Sequence, residues 1–233
     1  MQVELVNVTK RFAQWTALSG VSLTVASGER IAFVGPNGSG QSTLVRAIMG
    51  MVGVEGLIRL DGQQPSLHWV RLARRIAYVP QNAPQLNAPV GEMVGAVEGL
   101  RGLTPGAVAQ AARRLDLPLE ELWKLPIRNL SGGTKQKLML ALAFASPASL
   151  LVLDEPTASL DSETRQRFFE LFDEAARGST VLLCSHRPEE VRCLVDRVVM
   201  LENGRITRQA PVADFLEDYS SGVRWVDEVL NMS

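Results

Sequence analysis

The strongest structural signal in this chain is the run Ile31-Ala32-Phe33-Val34-Gly35-Pro36-Asn37-Gly38-Ser39-Gly40-Gln41-Ser42-Thr43. Its first four residues are all apolar, which is typical of a strand buried on both faces. Helical periodicity begins around Ser42. Glycines at 35, 38 and 40 allow a tight turn whose backbone N–H groups point inward at an anion. A glycine-rich loop between a strand and a helix predicts a phosphate-binding loop.

One residue of this loop departs from the expected pattern, because Gln41 follows Gly40 where a phosphate-binding loop has lysine. We expect Ser42 to bind Mg²⁺ and Thr43 to approach a phosphate oxygen. Glutamine keeps hydrogen-bonding capacity but carries no charge, and charged hydrogen bonds are about twice as strong as neutral ones. Losing one such charge costs on the order of 3 kcal/mol of transition-state stabilisation. The sequence therefore predicts that turnover suffers more than nucleotide binding.

Short apolar runs alternate with helical patterns along the rest of the chain, which predicts a largely parallel α/β core. Strands are predicted at residues 3–6, 21–25, 31–34, 76–79, 150–153 and 180–183, with a hairpin around Asn203-Gly204. Residues 82–130 are broken by proline and rich in helical patterns, which predicts helices at 91–100, 105–115 and 119–124. We predict one domain over 1–233, with a core (1–81 and 131–218), an inserted helical subdomain (82–130) and a C-terminal tail (219–233). Val226, Val229 and Leu230 predict a helix in that tail.

Charge, cysteine content and apolar runs limit the classes of partner and the location that the sequence supports. The chain has 24 Lys plus Arg against 25 Asp plus Glu, so nothing supports a nucleic-acid partner. Cys184 and Cys193 lack metal-site spacing, and we expect buried or half-buried thiols in a reducing compartment. No signal peptide is visible, and no apolar run approaches the ~20 residues of a membrane-spanning helix. Any role at a membrane is expected to come through partners.

Two further segments carry candidate chemistry. Asp154 and Glu155 follow the apolar strand 150–153, so Asp154 is a candidate Mg²⁺ ligand and Glu155 a candidate to polarise an attacking water. Ser131-Gly132-Gly133 precedes a helical stretch, and a helix that begins this way can bind an anion. The simpler alternatives are a solvated acidic turn for the first segment and a plain N-cap for the second.

Taken together, these segments resemble the ABC ATPases. Ser131-Gly132-Gly133 followed by Lys135-Gln136, upstream of Asp154-Glu155-Pro156-Thr157, is similar to the signature of that family. The resemblance runs from about Val3 to Phe215. It implies a P-loop NTPase core with an N-terminal antiparallel β subdomain and an inserted helical subdomain.

The resemblance also implies roles for single residues. It implies that Phe12 stacks on adenine, that Gln81 joins the core to the helical subdomain and senses Mg²⁺, and that His186 contacts the γ-phosphate. Glu155, His186 and Gln81 are the implied catalytic residues, and Ser42, Gln81 and Asp154 the implied Mg²⁺ ligands. The implied ATP-binding residues are Phe12, Gly35, Asn37, Gly38, Ser39, Gly40, Gln41, Ser42, Thr43, Ser131, Gly132, Gly133 and Asp161.

The function implied by the resemblance is that of an ATPase subunit of a membrane transporter, at the cytoplasmic face of the cell membrane. Two subunits would enclose ATP between the phosphate loop of one and Ser131–Gly133 of the other, and Asp161 would lie at their seam. Membrane permease subunits would dock near residues 81–94, where the apolar side chains expected to be exposed are Pro84, Leu86, Pro89, Val90 and Met93. Burial of some of these within the subdomain is an equal alternative.

Three interpretations stay open at this point. The first is the ATPase subunit of a membrane transporter. The second is a soluble ABC ATPase that acts on ribosomes or DNA, although such proteins more often carry tandem domains or a long coiled coil. A clamp that binds ATP and dimerises without significant turnover is the third, and Gln41 favours it. We hypothesise an active parent in which Gln41 is a deliberate or recent substitution that slows turnover. Residues 130–145 resemble exporter-type chains and residues 84–94 resemble metal importers, so substrate and direction stay open.

Overall fold

The computed structural model describes residues 1–145 and 148–220. The strands are β1 (Val3–Phe12), β2 (Trp15–Val25), β3 (Arg30–Val34), β4 (Glu55–Leu60), β5 (Ile76–Val79), β6 (Leu150–Asp154), β7 (Thr180–Cys184), β8 (Arg197–Glu202) and β9 (Arg205–Pro211). The helices are α1 (Gln41–Ile48), α2 (Pro65–Ala73), α3 (Val90–Arg101), α4 (Ala107–Arg114), α5 (Leu119–Leu122), α6 (Gly132–Phe144), α7 (Ser162–Ala175), α8 (Pro188–Leu194) and α9 (Val212–Ser220). The chain forms two compact units, one of residues 1–72 with those from 179 onward, the other of residues 73–178.

The first unit contains an antiparallel sheet in the order β2-β1-β4. It also contains strands in the order β7-β3-β8-β9, in which β3 pairs parallel with both neighbours and β9 pairs antiparallel with β8. Strand β3 therefore has a partner on each edge, and its residues 31–34 are fully buried. This burial explains the continuous apolar run. The predicted α/β class with an antiparallel subdomain is confirmed.

The β8–β9 hairpin turns at Asn203-Gly204, as predicted. Asn203 has φ 48° and Gly204 has φ 74°, the left-handed values that a tight two-residue hairpin turn requires. The Gly204 N–H donates to the carbonyl of Ser39 over 2.9 Å. The turn thus fastens the middle of the glycine-rich loop.

The second unit pairs β5 with β6 in parallel and also contains α3 to α7, of which α6 packs against β5. The helices predicted between 91 and 124 are present as α3, α4 and α5. Helix α6 buries most of its length, including Leu138, Leu140 and Ala141. The limits of an inserted subdomain at 82 and 130 stay a prediction.

One expectation about exposure is wrong. Cys184 is buried at the end of β7, but Cys193 lies on the solvent side of α8 and is exposed. Val90 is fully buried in the first turn of α3, as the alternative of burial within the unit predicts. In the described part of the chain, no helix has the length and apolar character to cross a bilayer. The helix predicted around Val226, Val229 and Leu230 lies outside the described residues.

Candidate functional site

The loop between β3 and α1 approaches other backbone segments so closely that two of its glycines, Gly35 and Gly40, leave no room for a Cβ atom. A Cβ atom at Gly35 would collide with the carbonyl oxygen of Leu201. A Cβ atom at Gly40 would lie 2.5 Å from the carbonyl oxygen of Ala17, and Gly40 has φ 108°, which disfavours any side chain. Only glycine satisfies both contacts, and the loop is therefore held tightly against its unit.

A buried hydroxyl group within this loop lacks a partner. Ser39 is 3% exposed, and its Oγ makes no hydrogen bond within the described residues. Leaving such a group unsatisfied costs about 1–3 kcal/mol, so an unsatisfied one calls for an explanation. Helix α1 likewise has glycine, Gly40, at its N-cap and therefore no side-chain cap. A phosphate oxygen bound in the loop would satisfy both the hydroxyl and the first N–H groups of the helix.

The side chain of Gln41 turns back onto the backbone. Its amide Nε2 donates to the carbonyl of Phe33 over 3.2 Å and lies 3.5 Å from that of Gly35. The residue is only 9% exposed. The amide therefore ties the first residue of α1 to the end of β3 and the start of the loop. Ser42 and Thr43, in the first turn of α1, are half-buried.

The aromatic candidate Phe12 lies at the end of β1 and is half-buried. Its ring stacks on that of Trp15, with 5.2 Å between centroids and 25° between planes. Trp15 was not a candidate from the sequence, because a tryptophan next to a turn has no distinctive spacing. His186 follows β7 and is also half-buried.

In the second unit, the predicted carboxylates stand at the end of β6. Asp154 is 4% exposed. Glu155, which follows, has φ 49°, a left-handed value that is uncommon for any residue other than glycine. Backbone strain of this kind clusters at functional sites. The sharp turn ends the strand and sends the next residues along a different path from β6.

The predicted N-cap alternative is confirmed at α6. The Ser131 Oγ accepts a hydrogen bond from the backbone N–H of Thr134 over 3.2 Å, which satisfies one terminal N–H group of the helix. Ser131 and Gly132 are both exposed. A Cβ atom at Gly132 would meet nothing within 4 Å, whereas one at Gly133 would lie 3.0 Å from the carbonyl of Ser159. Anion binding at this helix end stays a prediction.

Three consecutive side chains of α6 hold three other segments of the second unit. The Lys135 ammonium donates to Gln85 Oε1 over 3.1 Å and to the Arg128 carbonyl over 3.0 Å. The amide of Gln136, which is 3% exposed, donates to the carbonyl of Pro156 over 2.9 Å. Lys137 Nζ lies 3.8 Å from an Asp161 carboxylate oxygen. Helix α6 therefore fixes the loop that follows Glu155. This role of α6 was not predicted from the sequence.

Asp161 caps α7. Its carboxylate accepts from the backbone N–H of Thr164 over 2.8 Å and from the Thr164 hydroxyl over 2.9 Å. These two hydrogen bonds, with a smaller contribution from the charge of Lys137, lower the pKa of Asp161 below its ordinary value. The carboxylate is therefore ionised at neutral pH.

The remaining candidates lie around the predicted dock. Gln81 follows β5 and is exposed. Leu86 is 43% exposed, while Pro84, Pro89 and Met93 are half-buried. The alternative of burial within the unit is thus correct for Val90, and Leu86 is the most accessible apolar side chain of the set.

The family of the chain follows from comparison with known proteins, which agrees with this fold and these segments. Residues 18–158 match the model of the ABC transporter family, so the chain belongs to that family. The predicted resemblance to that family is confirmed.

Individual relatives carry out both import and export. The chain is 35% identical to the methionine import ATP-binding protein of Mesorhizobium japonicum over 231 residues, which cover 95% of this chain and 63% of the relative. It is 35% identical to the Nod factor export ATP-binding protein I of Burkholderia lata over 223 residues, covering 91% and 71%. It is 37% identical to the sulfate/thiosulfate import ATP-binding protein of Brucella melitensis, covering 88% and 60%. The chain thus spans less than two thirds of the two import relatives.

Solved structures agree with the fold. An ATP-binding subunit of an ABC transporter superposes with a TM-score of 0.84 at 24% identity, covering 98% of this chain and 97% of that one. A dimeric bacterial ABC transporter cassette superposes with a TM-score of 0.78 at 25% identity, covering 90% and 98%. The same cassette is known in a post-hydrolysis state bound to ADP and phosphate.

We predict that Gly40→Ala destabilises the chain more than Gly38→Ala does. Both positions have positive φ, but a Cβ atom at Gly38 would meet nothing within 4 Å, while one at Gly40 would collide with Ala17. Gly38→Ala should cost only the strain of a left-handed alanine, about 1–2 kcal/mol. Urea denaturation measures both, and equal losses would contradict the proposed contact.

We predict that Gln136→Leu lowers the free energy of unfolding by about 1–3 kcal/mol, because the buried Pro156 carbonyl loses its donor. Gln166→Leu on the exposed face of α7 is the matched control, with an expected change within about 0.5 kcal/mol. Chemical denaturation followed by circular dichroism compares the two. A Gln136 variant as stable as the control would show that this hydrogen bond is unimportant.

Proposed function

We propose that this chain is the ATP-hydrolysing subunit of a membrane transporter and works as one half of an ATP-closed dimer. The unsatisfied Ser39 hydroxyl, in a loop where Gly35 and Gly40 leave no room for side chains, is the observation that carries the proposal. Membership of the ABC transporter family and the dimeric relatives support it. The names of the relatives, which are import and export ATP-binding proteins, support the transporter role.

Each candidate residue then has a role in this proposal. The N–H groups of Gly38 and of residues 40–43, together with Ser39 Oγ, bind the phosphates of ATP. A hydroxyl from Ser42, a carboxylate from Asp154 and an amide oxygen from Gln81 are hard oxygen donors of the kind that Mg²⁺ prefers. Bound Mg²⁺ would neutralise charge that develops on the phosphates.

The protein groups around the reacting phosphate act on water and on charge. Glu155 accepts a hydrogen bond from the attacking water and orients it, and His186 donates to an oxygen of the γ-phosphate. Ser131–Gly133 binds the γ-phosphate held by the second subunit through the N-terminal N–H groups of α6. Asp161, at the start of α7, lies at the seam between subunits. Asn37 and Gly35 complete the loop, and an aromatic platform at Phe12 holds the base.

The chain is proposed to dock through residues 81–94 on membrane permease subunits, and so to lie at the cytoplasmic face of the membrane. Leu86 offers an exposed apolar contact for such a partner. Lys135, in the first turn of α6, donates a hydrogen bond to Gln85 of this segment. A movement of the docked segment would therefore be transmitted to the N-terminal end of α6, where Ser131–Gly133 lie.

Turnover is proposed to be attenuated by Gln41. The side-chain amide is already engaged with backbone carbonyls at the end of β3, and it brings no positive charge to the phosphates. Binding retains the loop amides and the dipole of α1, whereas the transition state lacks one charge. The same feature supports the second candidate, a clamp that dimerises on ATP without significant turnover.

Gln41→Lys is expected to raise the ATPase rate at least tenfold in the complex assembled with its partners, because a mobile charge is returned to the phosphates. Phosphate release measures the rate, and Gln41→Lys with Glu155→Gln is the control that should remain slow. No change in the single variant would refute attenuation by Gln41.

Comparing ATP-induced dimerisation with phosphate release separates the motor from the clamp. If the protein is a motor, the Gln41→Lys chain both dimerises on ATP and releases phosphate. If it is a clamp, that chain dimerises on ATP without releasing phosphate. Co-purification with a multi-spanning membrane protein tests the transporter role. Absence of this chain from membrane preparations would contradict that role.

A further inference from the structure

The first turn of α6 contains two hydroxyl groups in contact. The Oγ atom of Ser131 lies 2.7 Å from Oγ1 of Thr134, and the backbone N–H of Thr134 donates to the same Ser131 oxygen over 3.2 Å. Residues three apart share one face of a helix, which explains why the two side chains meet. Thr134 therefore contacts Ser131 through its backbone and through its side chain.

The short distance between the two oxygens fits a hydrogen bond in either direction. A hydroxyl group has one hydrogen to donate and two lone pairs with which to accept. If Ser131 donates to Thr134, its only hydrogen is used within the helix. If Thr134 donates, Ser131 accepts from both the hydroxyl and the N–H of Thr134, and its own hydrogen points elsewhere. Only the second arrangement leaves Ser131 a hydrogen for a ligand.

Of the two hydroxyl groups, that of Ser131 belongs to the more accessible residue. Ser131 is exposed, whereas Thr134 is half-buried. A Cβ atom at Gly132 would meet nothing within 4 Å, so the backbone next to Ser131 has open space around it. An ionised phosphate oxygen carries lone pairs and no hydrogen, so it accepts from Ser131 only when Ser131 does not donate to Thr134. An anion at this helix end therefore selects the arrangement in which Thr134 donates.

We propose that Thr134 is a positioning residue for the γ-phosphate that the second subunit holds. Its hydroxyl donates to Ser131 and so directs the Ser131 hydrogen to a phosphate oxygen. Successive hydrogen bonds polarise one another, so the Thr134 hydroxyl strengthens the contact that Ser131 makes with the anion. This inference rests on the proposed ATP-closed dimer, and it adds a residue that acts through Ser131 rather than on the phosphate itself.

Thr134→Val tests the proposal, because valine keeps the branched shape and the backbone N–H but removes the hydroxyl. Every protein in the test carries Glu155→Gln, so that bound ATP is not consumed. Analytical ultracentrifugation at saturating MgATP should show a dimer dissociation constant raised about tenfold or more, the size expected for a weakened hydrogen bond to a charged group. Thr134→Ser, which keeps the hydroxyl, should stay within about threefold. Thr134→Ala, which lacks the hydroxyl and cannot crowd the helix, should lose as much as Thr134→Val.

A double-mutant cycle shows whether Thr134 acts through Ser131. In a chain with Ser131→Ala, Thr134→Val should have no further effect on dimer dissociation, because the group that Thr134 positions is gone. Titration calorimetry at dilutions that keep the chain monomeric measures ATP binding to the phosphate loop. That affinity should be the same in all variants, since Thr134 acts on the nucleotide of the other subunit.

Three outcomes overturn the inference. A Thr134→Val dimer as stable as that of the chain with Thr134 would show that the hydroxyl is not needed. A Thr134→Ser loss equal to that of Thr134→Val would assign the effect to shape. An equal Thr134→Val loss with and without Ser131→Ala would show that Thr134 acts independently of Ser131. If the Glu155→Gln chain dimerises with MgATP, these outcomes contradict this inference alone, and if it stays monomeric, the proposed function fails with it.

Discussion

The close contact between the glycine-rich loop and the backbone of its own unit is the constraint on which the rest of the structure depends. Gly35 lies against the carbonyl of Leu201, Gly40 lies against that of Ala17, and the Ser39 carbonyl accepts from Gly204. These contacts come from β8, β2 and the turn after β8. Because the loop is held through the Ser39 carbonyl and by steric contact, the Ser39 hydroxyl remains available to an anion. A preorganised loop of this kind does not have to be ordered when ligand binds.

Helix α6 has the corresponding role in the second unit. One turn of the helix holds the segment around Gln85, the loop after Glu155 and the cap of α7 by means of Lys135, Gln136 and Lys137. A buried lysine near a helix N-terminus is unfavourable on its own, since the helix dipole already places positive charge there. Its two oxygen acceptors offset that cost. The helix that presents Ser131 thereby positions the strained Glu155 segment as well.

Local signals allowed most of the fold to be predicted. Four apolar residues before Gly35 identify a strand buried on both faces, and Asn203-Gly204 identifies a tight turn, because each depends on neighbours in sequence. Strand β4 was not predicted, since Gly56 interrupts its pattern where the strand passes close to the Asn7 backbone. The exposure of Cys193 and the burial of Val90 depend on which neighbouring element covers a helix face. A single sequence does not contain that information.

In the candidate site, too, local sequence signals could be predicted and tertiary contacts could not. Gly35 to Thr43, Asp154 and Ser131 could be selected from their spacing, but the engagement of Gln41 with the Phe33 carbonyl could not. The Gln136 amide also acts through a partner that is distant in sequence, the carbonyl of Pro156. Residues with an unremarkable sequence context are found only when their contacts are known.

Cross-linking between two copies of the chain tests most directly whether the loop of one subunit meets the α6 end of another. Asn37→Cys and Gly132→Cys, both at exposed positions, would be made separately with Cys193→Ser and Glu155→Gln and then mixed. The account predicts a disulfide-linked dimer that forms with MgATP and not without nucleotide. No cross-link, or one that forms equally without ATP, would contradict the shared nucleotide site.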